Sequence, residues 1–258
     1  MKQPNSTRQQ RRRQIRRRRL FVFLCLIFSI ILFIKVLTLG NAHPQSAAPQ
    51  SPSTAECPES LAELLERNPE TKEFVENYPT EYGKKHTVDM SEYRGKPGVP
   101  LFLQWDQRWG YLDYGDDVAG LTACGPMCLS MAGYALTGDE TRFRPDRVIQ
   151  FAIDEGYCIP GSGSSWSLIS EGGPKLGLDV IEIPLVESRI VSNLEVGNPI
   201  ICIMGPGTFT TSGHFILLTG MEDGKFRIND PNSRSKSERL WEYKEFCDQV
   251  RNLWVIRK

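Results

Sequence analysis

The feature that most limits what this chain can fold into lies at its start. Residues 1–19 carry nine basic groups (Lys2, Arg8, Arg11, Arg12, Arg13, Arg16, Arg17, Arg18 and Arg19) and no acidic one. Leu20 to Ile34 is then apolar throughout except for Ser29, and after Lys35 the run resumes from Val36 to Leu39. That length matches the roughly 20 residues a helix needs to span a bilayer. Lys35 sits near the far end, where its stem can snorkel to the interface. Basic residues are retained on the cytoplasmic side. The pattern therefore predicts a basic cytoplasmic segment over 1–19 and a transmembrane signal-anchor over 20–40, with the N-terminus inside. Gly40-Asn41-Ala42 is a small-x-small pattern, so cleavage as a signal peptide stays open. Cleavage would release the body as a secreted protein; retention would hold it to the cell membrane from outside. Both place the body beyond the membrane.

Charge narrows the partners. The chain has 258 residues with 31 basic and 31 acidic groups, but residues 20–258 hold 22 basic against 31 acidic, a net charge of −9. Phosphate contact needs clustered Lys and Arg, so no nucleic-acid partner is expected. The membrane is expected as a partner, engaged through the N-terminal helix.

Composition divides the rest. Residues 41–56, NAHPQSAAPQSPSTAE, are a flexible linker without periodicity. Residues 57–92 predict a helical extension. Leu61, Leu64 and Leu65 form one apolar stripe, and Phe74, Val75 and Tyr78 form a second. Asn68 is placed to cap the second helix, Pro69 suits its first position, and Pro79 is expected to end it. Residues 93–258 read as the main domain. Helices are expected over 126–136, 144–155 and 165–176, the last stopped near Gly177. Strands follow over 179–183, 199–204, 214–221 and 225–229, the last two flanking a turn at Glu222-Asp223-Gly224. Helices first and strands second argue for an α+β fold rather than a repeating βαβ sheet.

Seven cysteines and three histidines carry most of the available chemistry. No CxxC pair occurs, so neither a structural zinc site nor another metal is expected. Cys124 precedes Gly125-Pro126, at the predicted start of a helix. A thiol there meets the positive end of the helix dipole and unpaired backbone N–H groups, which favour thiolate and can stabilise an oxyanion. A small buried thiol explains the same context equally well. Cys128, one turn on, reads as core. His43 lies in the linker and His86 follows two lysines, leaving His214, at the head of a strand, as the candidate base. Asp230 closes the next strand. Strands joined by a tight hairpin lie about 5 Å apart, so His214 and Asp230 fall at the same end of the pair. Asn229 and Asn232 compete with Asp230 for the orienting role. Gln104 is a candidate amide donor to an oxyanion, against a bland reading as a surface glutamine. Trp105, Trp109 and Tyr111 read as aromatic core before groove, and Gly161 to Trp166 as either a substrate loop or a serine-capped turn.

Four segments in order, VPLFLQWDQRWG, ACGPMCLSMAG, SGHFILLTG and INDPN, resemble the peptidase family C-thirty-nine-like group. These are papain-like cysteine peptidase domains related to bacteriocin-leader peptidases. The resemblance spans about residues 97–258. It implies a papain-like α+β fold acting on a peptide or protein substrate without a cofactor. Cys124 would be nucleophile, His214 base, Asp230 orienter and Gln104 oxyanion donor. No transporter segment accompanies the domain, so the double-glycine substrate is not carried over. Cleavage or transpeptidation of cell-wall peptides at the same site, or a catalytically silent binding module, are the competing expectations.

Overall fold

The computed structural model describes residues 57–258. The basic segment, apolar run and linker expected over 1–56 lie outside the described residues. Among the described residues, no helix is long and apolar enough to cross a membrane.

The extension forms α1 (Glu59–Arg67) and α2 (Lys72–Glu81), joined by a 3₁₀ turn over Pro69–Thr71. Asn68 caps that turn, its side chain accepting from the Glu70 N–H at 3.2 Å. Pro79 does not end α2. The helix continues to Glu81, and the Tyr82 N–H still reaches the Tyr78 carbonyl at 3.0 Å. Only the one bond that a proline N–H would have made is lost, and in the last turn that is tolerable. Leu61, Leu64, Phe74, Val75 and Tyr78 bury against Tyr111 and Val118. Phe74 stacks on Tyr111 with ring centroids 4.5 Å apart. Trp109 and Tyr111 are thus core residues, 1% and 4% exposed.

A short helix α3 (Ala119–Thr122) leads into α4 (Cys124–Thr137). The expected start at Pro126 falls two residues late. Proline is tolerated anywhere in the first turn, where N–H groups lack intrahelical partners, so Cys124 itself opens the helix. Gly138 closes it in the left-handed region, at φ 68°. α5 (Pro145–Asp154) packs beside it. The helix expected over 165–176 is a π-helical turn, Leu168–Gly172, followed by one short turn, Gly173–Lys175. Pro174 lacks the N–H that a regular helix needs there, and Gly173 lies so close to Val180 that a Cβ would come within 2.7 Å of its Cγ2.

Six strands form one antiparallel sheet: β1 (Asp179–Glu182), β2 (Ile200–Met204), β3 (His214–Glu222), β4 (Lys225–Asn229), β5 (Leu240–Trp241) and β6 (Val250–Arg257). Their order is β1-β6-β2-β3-β4-β5. β6 inserts between β1 and β2. It is buried on both faces from Leu253 to Ile256, so it lacks the alternation that marks a half-exposed strand. Ile201, Ile203, Phe215, Leu217, Trp254 and Ile256 face α4, while Ile200, Cys202, Met204, Ile216, Leu218 and Val255 face α6 (Glu187–Glu195). The sheet is therefore a two-sided core with a period of two.

Candidate active site

Cys124 opens α4 and is partly exposed to a cleft of about 420 Å³. Leu121, Thr122, Gly163, Ser164, Trp166 and Gly213 form much of the cleft wall. Its Sγ accepts the backbone N–H of Phe215 at 3.5 Å. That contact ties the start of α4 to the start of β3, where His214 stands, 7% exposed.

The β3–β4 hairpin sets His214 against Asp230. Glu222 pairs with Lys225 across a two-residue turn, Asp223-Gly224, with φ 50° and 74°. Both central residues have positive φ, as a type I′ hairpin requires. A bulge between Leu218 and Gly220 shifts the register, after which Leu217 opposes Asn229. Continuing that register sets Asp230 opposite Ile216, one diagonal step from His214 on the same face. The His214 Nε2–H donates to Asp230 Oδ1 at 2.6 Å. Asp230 is fully buried, and its Oδ1 also accepts the Asn232 N–H at 2.8 Å. Its Oδ2 has no hydrogen-bond partner, and the Lys236 ammonium lies 3.9 Å away.

Cys124 and His214 are each shifted toward the charged form. Burial opposes ionisation of Cys124, but the charge and hydrogen bonding of His214, with the N–H groups of Phe215 and Gly125, overcome it and lower the thiol. Burial alone would also depress His214. Asp230 first, then Cys124, reverse that and push the imidazole up to about 10. The pair thus favours thiolate and imidazolium, and such a pair titrates as a unit. Cys128 and Cys202 lack this support, and burial pushes both thiols up. The six described cysteines are all free.

The remaining candidate residues separate clearly in space. Asn229 is turned away from His214, its amide donating to the Pro100 carbonyl at 2.9 Å. Asn232 contributes its backbone rather than its side chain. Gln104 is buried, 3% exposed, and its amide donates to the Gly120 and Leu121 carbonyls at 2.9 and 3.1 Å. It therefore holds the segment just ahead of Cys124 and does not itself line the cleft. Trp105 donates its Nε1–H to the Asn232 carbonyl at 3.1 Å and does not line the cleft. Gly161 to Ser164 and Trp166 line the cleft, and a serine bond fixes the turn beyond them. Gly163 and Ser164 pair with Ile159 and Cys158 and line the cleft, and the Ser165 hydroxyl accepts the Ser167 N–H at 3.2 Å. Two contributors are not legible in the sequence. The Phe215 N–H is a backbone group, invisible to residue type. Tyr114 is fixed to Ser164, hydroxyl to hydroxyl at 2.7 Å, behind the cleft wall.

Fold and geometry together define a class: an α+β domain in which a helix-start thiol meets a buried imidazole–carboxylate pair. The chain belongs to the Peptidase_C39 like family, whose sequence model matches residues 96–258. Membership supports a function of the papain-like cysteine peptidase type. No curated protein matches the chain. Among solved structures, the peptidase domain of Streptococcus ComA, a bifunctional ABC transporter involved in a quorum-sensing pathway, is 17% identical with a TM-score of 0.43, the match covering 62% of this chain and 98% of that one. A C-thirty-nine-like peptidase from Bacillus anthracis is 15% identical with a TM-score of 0.37, covering 62% of this chain and 94% of its own.

Proposed function

We propose that the protein is an exported, membrane-anchored cysteine peptidase that hydrolyses peptide bonds through Cys124, His214 and Asp230. One observation carries the reading: a partly exposed thiol at a helix start, tied at 3.5 Å to the N–H of Phe215, stands beside the imidazole that Asp230 holds at 2.6 Å. In the proposed cycle the Cys124 thiolate attacks the scissile carbonyl. The backbone N–H of Cys124 stabilises the oxyanion, and Gln104 joins it when its amide exchanges the longer bond, to Leu121, for the substrate oxygen. The His214 imidazolium protonates the leaving amine. The neutral ring then takes a proton from water, and hydroxide attack on the thioester releases the acid and regenerates the thiolate. Asp230 keeps the ring's Nε2–H fixed throughout, which turns the other nitrogen toward sulfur. The anchor rests on the 1–39 sequence pattern and puts the cleft outside the cytoplasm. Profiling residues 57–258 on a peptide library beside a Cys124→Ala control tests the reading. Turnover by the native protein alone is expected; equal turnover by both would end it.

A further inference from the structure

The loop that follows Asp230 is held almost entirely from the N-terminal side of the chain. The Gln104 N–H donates to the Pro231 carbonyl at 2.8 Å. The Asn232 carbonyl accepts both the Asn68 side-chain amide at 2.5 Å and the Trp105 indole N–H at 3.1 Å. Glu70, in the turn between α1 and α2, accepts four bonds. They come from the Ser233 hydroxyl at 3.0 Å, the Arg234 N–H at 2.8 Å, the Ser235 N–H at 3.3 Å and the Ser235 hydroxyl at 2.8 Å.

Those donors lie at the start of a short helix, α7 (Arg234–Glu238), and the Ser233 hydroxyl also caps it by accepting the Lys236 N–H. From its far end the Ser237 hydroxyl accepts the Asp230 N–H at 2.8 Å and donates to the Ser233 carbonyl at 2.7 Å. A continuous path of hydrogen bonds thus runs from Glu70 through Ser233 and Ser237 to the backbone of Asp230. The extension grips the other half of the site as well. A Cβ on Gly120, two residues before Thr122, would come within 2.7 Å of Phe74 Cε1, so α2 lies hard against the segment that delivers Cys124.

We infer that the helical extension belongs to the catalytic apparatus, with Glu70 a positioning residue that fixes the 230–237 segment and so holds Asp230 against His214. The inference rests on the peptidase reading and deepens it. Four donors converging on one carboxylate make a strong brace, because charge-assisted hydrogen bonds are about twice as strong as neutral ones. The donors are hydroxyls and amides of one loop rather than cationic side chains, so what the carboxylate supplies is geometry and not a neutralised charge.

The test uses the full chain in detergent, with Glu70→Ala, Glu70→Gln, Asp230→Ala and the Glu70→Ala/Asp230→Ala double variant. Two quantities are read: kcat and KM on the best library peptide, and the titration of the His214 ring by NMR. Glu70→Ala is expected to lower kcat on the order of tenfold with KM nearly unchanged, as misplacement of a distant support does, and to move the His214 titration down. Glu70→Gln keeps an acceptor oxygen and is expected to recover part of both. In the Asp230→Ala background, removing Glu70 is expected to change kcat less than twofold. An unmoved His214 titration in Glu70→Ala would overturn the inference. So would the same factor of loss in both backgrounds, which marks a purely structural residue. If Glu70→Ala fails to melt cooperatively, the Glu70→Gln variant is carried through the same cycle with Asp230→Ala and decides by the same criteria. The His214 titration needs no turnover, so a native protein without peptidase activity would sink the peptidase reading while leaving the positioning role decidable.

Discussion

The two halves of the site are assembled by different means. His214 and Asp230 are 16 residues apart and meet through one hairpin. Cys124 reaches the same place from 91 residues before Phe215, by docking α4 on the sheet. The first meeting is local and fixed by register, turn type and one bulge. The second is long-range and depends on side-chain packing in the core that Met127 and Met131 share with Ile201, Phe215 and Leu217. Damage to one half should therefore leave the other largely in place, and that separation is open to measurement.

The largest effect should come from removing the nucleophile. Cys124→Ala is expected to lower peptide hydrolysis by at least ~10⁴-fold, the scale seen when a nucleophile is deleted, while the hairpin half stays formed. Loss of the His214–Asp230 hydrogen bond in this variant, seen as a collapsed downfield ring-proton signal, would break the comparison. Next, Asp230→Ala should reduce kcat/KM by roughly 10²–10⁴-fold, the range for removing the orienter of a catalytic imidazole. Iodoacetamide labelling at neutral pH should slow in the same variant, because the thiol is held down first by His214. Labelling of Cys124 as fast as in the native protein would show that the helix start alone makes the thiolate.

A smaller loss should follow damage confined to the nucleophile's half. A Cβ at Gly125 would come within 2.8 Å of Ser164 Oγ and 3.0 Å of its Cβ. The Ser164 hydroxyl is already bonded to Tyr114, so rotating it away sacrifices that bond. Gly125→Ala is thus expected to cost on the order of tenfold in kcat/KM, by displacing reacting groups rather than removing them. Its His214 titration should fall no further than that of Cys124→Ala, since only the Cys124 share of the rise is disturbed. A fall as large as that of Asp230→Ala would mean that the halves are mechanically one.

The same contrast explains what is legible in the sequence. The β3–β4 hairpin reads almost to the residue, since the apolar run of β3, the period-two alternation of β4 and the Asp-Gly turn between them are local signals. From it the nearness of His214 and Asp230 follows by geometry alone. Cys124 stands between two equal explanations until its place among four ordered motifs decides it, because no local pattern encodes a partner 91 residues away. β6 escapes although β2 and the start of β3, equally buried on both faces, do not, and no Asp-Gly hairpin turn marks it off. Pro79 and Pro126 mislead in opposite directions. Each reads as a boundary, yet the last and first turns of a helix are where a missing N–H costs least. Gln104 carries the right neighbourhood but not its orientation, which its two carbonyl partners set.

The smallest effect is the most discriminating, because both halves act on one imidazole. Burial lowers the basicity of His214, and Asp230 raises it more than Cys124 does. Cys124→Ala should therefore bring the His214 titration part of the way down from about 10, and Asp230→Ala should bring it further. The reverse order would mean that the long-range contact, not the hairpin, holds the charge. The sign carries over to stability. A folded-state value raised above the ordinary 6.5 gives a contribution fully present below 6.5 and lost as pH rises toward about 10. In the native protein the lowered Cys124 thiol releases on folding the proton that the raised ring takes up, so the two offset each other below the ordinary thiol value of 9.0, and urea melts there should show little loss from the pair. Cys124→Ala removes that offset while Asp230 still raises the ring, so it should lose the most stability with pH, and Asp230→Ala, which removes the larger part of what raises the ring, should lose little. Equal slopes for all three proteins would place the pH dependence elsewhere in the molecule and dissolve the distinction between the halves at the one group they share.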